Sequence, residues 1–143
     1  MKSNGGFLSS QIRHVGGRLW EKMLRESGVD AFNGAQGRIL YVLWEHGAMA
    51  ITEIGRLTSL AKTTLTGMLD RMEAGGLIIR TPDKDNRRQI IISVTDKALE
   101  YREIYDRLSE QMNSLTYAGF CEAELRTYEE MLRRILNNLE SKK

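Results

Sequence analysis

Four cations, Arg80, Lys84, Arg87 and Arg88, fall within nine residues of one another. A little upstream stand Lys62, Thr63, Thr64, Thr66 and Arg71, a run rich in hydroxyls and cations. Guanidinium and ammonium groups neutralise phosphates, and an arginine can enter a narrow, A·T-rich minor groove where the negative potential is strongest. Threonine hydroxyls bond phosphates or base edges, and their methyls can touch thymine methyls. Alone, neither cluster is specific, because a charge run is usually a solvated surface and a threonine-rich face is equally a solvated helix side. The elements that carry the two clusters must decide.

The hydroxyl run lies on a predicted helix, Lys62 to Glu73, that stops at Gly75-Gly76. Projected at about 100° per residue, Leu65, Met68, Leu69 and Met72 gather on a core side. Thr63, Gly67, Asp70 and Ala74 face away, with Lys62, Thr64, Thr66 and Arg71 at the margins. Before it, Thr52 caps a short helix from Glu53 to Leu57, separated by the polar break Thr58-Ser59. After it, Leu77, Ile78 and Ile79, a polar stretch from Arg80 to Arg88, and Ile90, Ile91, Ile92, Ser93 and Val94 read as a β-hairpin with a basic tip. Helix, turn, helix and hairpin in this order make a winged-helix module, whose second helix enters the major groove while the hairpin reaches the neighbouring backbone or minor groove.

Flanking helices complete the pattern. Leu8, Ile12, Val15, Leu19 and Met23 define a first helix from Phe7 to Glu26. Gly16 and Gly17 inside it, each costing about 1 kcal/mol relative to alanine, imply either a bend or the close approach of another element. Asn33 caps a second helix in which Ala35, Ile39, Val42 and Leu43 are buried, ending at Gly47. Thr95-Asp96 caps a long helix carrying Leu99, Ile104, Leu108, Met112 and Leu115. A last helix from Glu122 carries Leu125, Met131, Leu132, Ile135 and Leu139. The fold class is mainly α with a small β-hairpin: a winged helix-turn-helix over residues 33–94, flanked within one domain (1–143) by dimerisation helices over 1–32 and 95–143.

Composition is consistent with this reading without requiring it. The 143 residues are 41% hydrophobic and 28% charged, as in ordinary globular proteins, and the net charge of +2 neither demands nor excludes nucleic acid. Apolar residues recur along nearly the whole length, leaving surface for a second copy of the chain. The single Cys121 cannot form an internal disulfide, and the first residues lack a signal-peptide pattern, which leads us to expect a cytoplasmic protein. No apolar run is long enough to span a bilayer. We find no glycine-rich phosphate loop, nucleophile elbow or histidine–acid constellation, so no enzyme and no cofactor are expected. With His14 and His46 the only histidines, a zinc site is not expected either. Cys121 stands beside Glu122 and Glu124 at the start of the last helix, and we read the thiol as inert.

Together these segments resemble the MarR family of bacterial regulators. Ile51-Thr-Glu-Ile-Gly-Arg-Leu57 and Lys62-Thr-Thr-Leu-Thr-Gly-Met-Leu-Asp-Arg-Met72 look like its helix-turn-helix. Gly76-Leu-Ile-Ile-Arg80 and Asp85-Asn-Arg-Arg88 look like its wing, with the D-x-R motif, and Val94-Thr95 resembles the start of its dimerisation helix. The resemblance implies sequence-specific binding of double-stranded DNA by a homodimer at a pseudopalindromic operator, most naturally as a repressor relieved by a small aromatic or phenolic effector. Carried over by position, Thr63, Thr64 and Thr66 contact DNA, Arg87 enters the minor groove with Asp85 holding it, and Asp70 pairs with a wing arginine. The implied effector pocket draws on Arg13, His14, Trp20, Arg38 and Tyr41. Two positions depart from the pattern: Ala61 stands where a Ser or Thr N-cap is common, and Gly67 offers no side chain for readout. The competing reading is a winged helix used for protein docking, for which an uncharged wing is the expected mark.

Overall fold

Asn33 and Gln36 start the central helix reciprocally. The Asn33 side chain accepts the Gln36 backbone N–H at 2.9 Å, and the Gln36 side-chain oxygen accepts the Asn33 N–H at 3.1 Å. This satisfies two of the donors that any helix start leaves without a partner. The helix that follows buries Ile39, Leu40, Val42, Leu43 and Trp44, and ends at Gly47, whose φ of 82° lies in the left-handed region that favours glycine.

The computed structural model describes residues 1–142. In chain order the elements are α1 (Gly5–Glu26), α2 (Gly34–His46), β1 (Met49–Ala50), α3 (Ile51–Thr58), α4 (Lys62–Ala74), β2 (Ile78–Pro82), β3 (Ile90–Val94), α5 (Asp96–Leu99), α6 (Arg102–Thr116) and α7 (Glu122–Glu140). The chain forms two compact units, Met1–Leu108 and the remainder from Ser109 onward. No helix among the described residues is long and apolar enough to cross a membrane.

In the first unit a three-stranded antiparallel sheet, ordered β1-β3-β2, stands where the sequence suggested only a hairpin. The added strand is β1, where Met49 pairs with Ile92 and Ala50 with Ile91. This pairing also moves the start of α3. Ala50, held extended by the sheet, occupies the N-cap position without a side-chain bond, so Thr52 lies inside the helix rather than capping it. Thr58 closes the same helix from within: its hydroxyl donates to the Ile54 carbonyl at 2.7 Å, and Ser59 follows in the left-handed conformation.

The base of the hairpin is clasped. Thr95 N–H donates to the Leu77 carbonyl at 3.1 Å, the Thr95 hydroxyl donates to the Gly76 carbonyl at 2.6 Å, and Lys97 Nζ donates to the Gly75 carbonyl at 2.9 Å. Thr95 also accepts the Ala98 N–H at 3.2 Å, acting as the expected cap. The long helix expected from this cap is interrupted, however. After α5 the Tyr101 N–H bonds the Ala98 carbonyl in a tighter turn, and α6 begins at Arg102, whose guanidinium donates to the Trp44 carbonyl at 3.0 Å.

Tyr105 of α6 is the hub of an aromatic core. Trp20 and Trp44 approach it edge-on, each with its centroid at 5.3 Å, and Tyr41 stacks at 6.1 Å. Phe32 lies at 6.4 Å from Tyr105 and meets Tyr101 edge-on at 5.4 Å. Such pairs add about 0.5–1.5 kcal/mol each beyond area burial. Helix α1 runs unbroken through Gly16 and Gly17, and the space where a Gly17 Cβ would stand is open. Among the described residues no neighbour therefore explains Gly17. The N-terminal half of α1 leaves Phe7, Leu8, Ile12 and Val15 exposed.

The second unit is organised by Tyr117, whose ring meets Phe120 at 6.5 Å and Tyr128 at 6.2 Å. Helix α7 opens with a capping box in which Cys121 N–H donates to the Glu124 carboxylate at 3.0 Å. Its apolar stripe, Met131, Leu132, Ile135, Leu136 and Leu139, is exposed.

Candidate nucleic-acid interface

Helix α4 buries Leu65, Leu69 and Met72 completely, which fixes the opposite face outward. Lys62, Thr63, Thr64 and Thr66 are exposed on its first two turns, and Arg71 is exposed on the third. Ala61 is extended and supplies no capping bond, as its side chain dictates. The N-terminal N–H groups of α4 thus have no side-chain partner at the cap, which leaves them available to an anion.

The wing is tied to this helix by an ion pair. Arg80 Nη1 on β2 lies 2.8 Å from Asp70 Oδ1 and 3.3 Å from Glu73 Oε1, with the Arg80 side chain only 23% exposed. Asp70 thus meets a wing arginine, and that arginine is Arg80. Arg80, expected to face DNA, has its Nη1 engaged by two carboxylates here.

At the wing tip, Lys84, Arg87 and Arg88 are exposed. Among the described residues none of these three, nor Lys62 or Arg71, forms an ion pair. The expected grip of Asp85 on Arg87 is absent for the same reason. The tip is shaped instead by short-range turns: Asp85 N–H donates to the Asp83 carboxylate at 3.0 Å and Arg88 N–H to the Asn86 side chain at 3.1 Å. Asp83 N–H and the Gln89 carbonyl close the loop at 3.1 Å. Short polar side chains that bond the backbone two residues on are a common way to set such a turn.

The five residues expected to form an effector pocket fall in three places. Arg13 and His14 line an open groove of about 750 Å³ along α1 together with Gly17, Arg18, Glu21 and Arg25. Trp20 and Tyr41 instead pack on Tyr105. Arg38 is exposed on α2, where its charge opposes the upward shift that burial imposes on the Tyr105 hydroxyl pKa. Arg18 and Arg25 were missed, although their spacing from His14 along one helix face, four and eleven residues, was available in the sequence. A second cavity of about 340 Å³ lies where α1 turns into α2, lined by Leu24, Val29, Phe32 and Gln36 among others; Glu21 borders it and accepts the Gly34 N–H at 2.6 Å.

A helix-turn-helix followed by a sheet with a basic, protruding hairpin defines a winged-helix protein. Comparison with known proteins agrees. The MarR family model matches residues 32–90. The regulator TtmR of Methylorubrum extorquens is 32% identical over 103 residues, covering 72% of this chain and 51% of that protein. The repressor IacR of Pseudomonas putida is 25% identical over 121 residues, 85% of this chain and 71% of that one. Among solved structures, overoxidized AbfR bound to DNA is 27% identical, with a TM-score of 0.72 over 93% of this chain and 90% of that chain; AbfR is a protein of Staphylococcus epidermidis. The match to the MarR family model thus falls on the winged-helix part of this chain, and the chain spans about half the length of TtmR.

Proposed function

We propose that this protein is a sequence-specific DNA-binding transcriptional regulator that acts as a homodimer. The observation that carries the proposal is the Arg80 bridge to Asp70 and Glu73, which fixes a wing with unpaired cations beside a helix face of exposed threonines. A duplex spanning both would meet α4 in its major groove and the Lys84–Arg88 tip at the adjacent minor groove or backbone. Thr63, Thr64 and Thr66 are the groove contacts, Lys62, Lys84 and Arg88 the phosphate contacts, and Arg87 the minor-groove contact. Likeness to AbfR, solved on DNA, supports the same reading. A charged wing disfavours the protein-docking alternative.

Dimerisation rests on the exposed apolar stripes of α1 and α7, which a solvated chain has no reason to keep. We assign the protein to the cytoplasm as a repressor, in line with the name of its relative IacR. Relief by a small aromatic or phenolic anion would use the α1 groove, whose Arg13, Arg18 and Arg25 outnumber its single carboxylate, Glu21. The deciding experiment is selection of bound sequences from random duplex DNA, followed by a salt titration of the selected site. A pseudopalindrome with half-sites about one helical turn apart is the expected product. Failure to enrich any sequence overturns the proposal.

A further inference from the structure

Gly67 sits at the centre of the outward face of α4, where a side chain would be expected to read DNA, yet the position is not empty. A Cβ placed on Gly67 would stand 3.8 Å from Nη1 of Arg71. The Arg71 side chain therefore lies back along the helix toward its N-terminus, the direction that Cα–Cβ bonds take in any α-helix, and covers the clearing that glycine leaves. One turn is about 5.4 Å, so the charge is delivered from the third turn of α4 to the level of Gly67, beside Thr66.

The electrostatic setting keeps this guanidinium uncommitted. Asp70 and Glu73 flank Arg71 in sequence and are the carboxylates of the same helix. Both are engaged by Arg80. Arg71 forms no ion pair among the described residues. Its fork of N–H donors, with no acceptor, matches the two acceptors O6 and N7 that guanine presents in the major groove.

We propose that Arg71, lying over Gly67, is the specificity-determining residue that reads one guanine in each half-site. This deepens the DNA-binding reading above and rests on it. Gly67 is then a positioning residue: it holds open the path along which Arg71 reaches the base.

The test selects bound sequences from a random duplex library with the full-length parent protein, Arg71→Ala, Arg71→Lys and Gly67→Leu, each checked for fold by circular dichroism. The parent should enrich a guanine at one fixed position per half-site. Arg71→Ala and Gly67→Leu should lower that preference by about tenfold while keeping the rest of the motif, and Arg71→Lys, which lacks the planar fork, should weaken it. If the parent enriches a motif and its guanine survives in Arg71→Ala, with affinity falling equally for all sequences and the salt slope smaller by about 1, Arg71 contacts phosphate and the inference fails alone. A parent that enriches no sequence overturns this inference together with the DNA-binding reading.

Discussion

Arg80 Nη1 and Asp70 Oδ1, 2.8 Å apart, join the first strand of the wing to the helix proposed to enter the major groove. The pair is partly solvated, with 61% of the Asp70 side chain exposed, so its contribution to folding should be small, about 1 kcal/mol or less. Its effect on DNA binding should be larger. Arg80→Ala leaves Asp70 and Glu73 uncompensated beside the phosphates, so affinity should fall about tenfold or more through like-charge repulsion. Asp70→Asn in the same background should recover part of that loss. Urea unfolding and fluorescence anisotropy measured on the same variants check both statements, and equal losses in stability and affinity would contradict them.

Arg87 and Thr66 should fail in different ways. Arg87→Ala removes one cation at the wing tip, and the slope of log K against log salt should shrink by about 1 with the fold unchanged. Thr66→Ala should leave the slope alone and alter base preference by roughly 1 kcal/mol, since a hydroxyl releases no counterion. Parent-like affinity and slope in a folded Arg87→Ala protein would remove the wing from the interface.

Ile135 is 55% exposed on α7, in the middle of an apolar stripe. Ile135→Glu should leave the chain helical and convert a particle of twice the chain mass into a monomer in sedimentation at micromolar concentration. DNA affinity should drop steeply with it, since the proposed pseudopalindrome would be bound by two copies at once. A parent protein that sediments as a monomer is the contrary result.

Glu124 accepts the Cys121 backbone N–H, and this bond holds its pKa below the usual 4.5. A depressed carboxylate stabilises the folded state above its unfolded pKa and loses that contribution as pH falls through the folded value. Helix α7 should therefore lose stability below about pH 4.5, and Glu124→Gln should flatten that part of the pH profile. Carboxyl chemical shifts followed by NMR report the midpoint directly; a Glu124 midpoint at or above 4.5 contradicts the cap.

Tyr105 gives the opposite sign. Burial raises its hydroxyl pKa above 10.0, against the partial opposition of Arg38. The neutral phenol is fully accommodated below pH 10.0, and stability should decline as pH rises through the higher folded value. Tyr105→Phe should remove this alkaline loss while keeping the aromatic packing. Denaturant midpoints between pH 9 and 11 make the comparison, and identical profiles would argue against burial as the cause.

Much of this architecture was readable from local chemistry. The Asn33 cap, the apolar rows of α2 and α4, the Gly75-Gly76 stop and the β-branched run at Ile90 each act within a few residues, and the structure has them where periodicity puts them. What was not readable depends on pairs distant in sequence. Strand β1 is two residues long and has no period of its own; it exists because Met49 meets Ile92. The break at Tyr101 follows from packing on Phe32 and from the bond of Arg102 to Trp44, neither of which leaves a trace in helix propensity. Exposure of the threonines on α4 followed from its periodicity. The partner of Asp70 was implied only by resemblance, and which wing arginine it meets is decided by how β2 packs beside α4. Trp20 and Tyr41 looked like pocket residues because aromatic type alone does not distinguish a ligand wall from a core, and here Tyr105 supplies the core.

The clasp of Thr95 and Lys97 on Gly76 and Gly75 makes the wing a closed loop whose two ends are secured independently of its tip. The entropy of closing such a loop grows only slowly with length, by about 0.6 kcal/mol per doubling. Insertions or charge changes between Asp83 and Gln89 are consequently almost uncoupled from folding. The tip behaves as an exchangeable cartridge on a fixed mount, so new DNA preferences can be explored there, in evolution or by grafting, while the helix-turn-helix beneath remains intact.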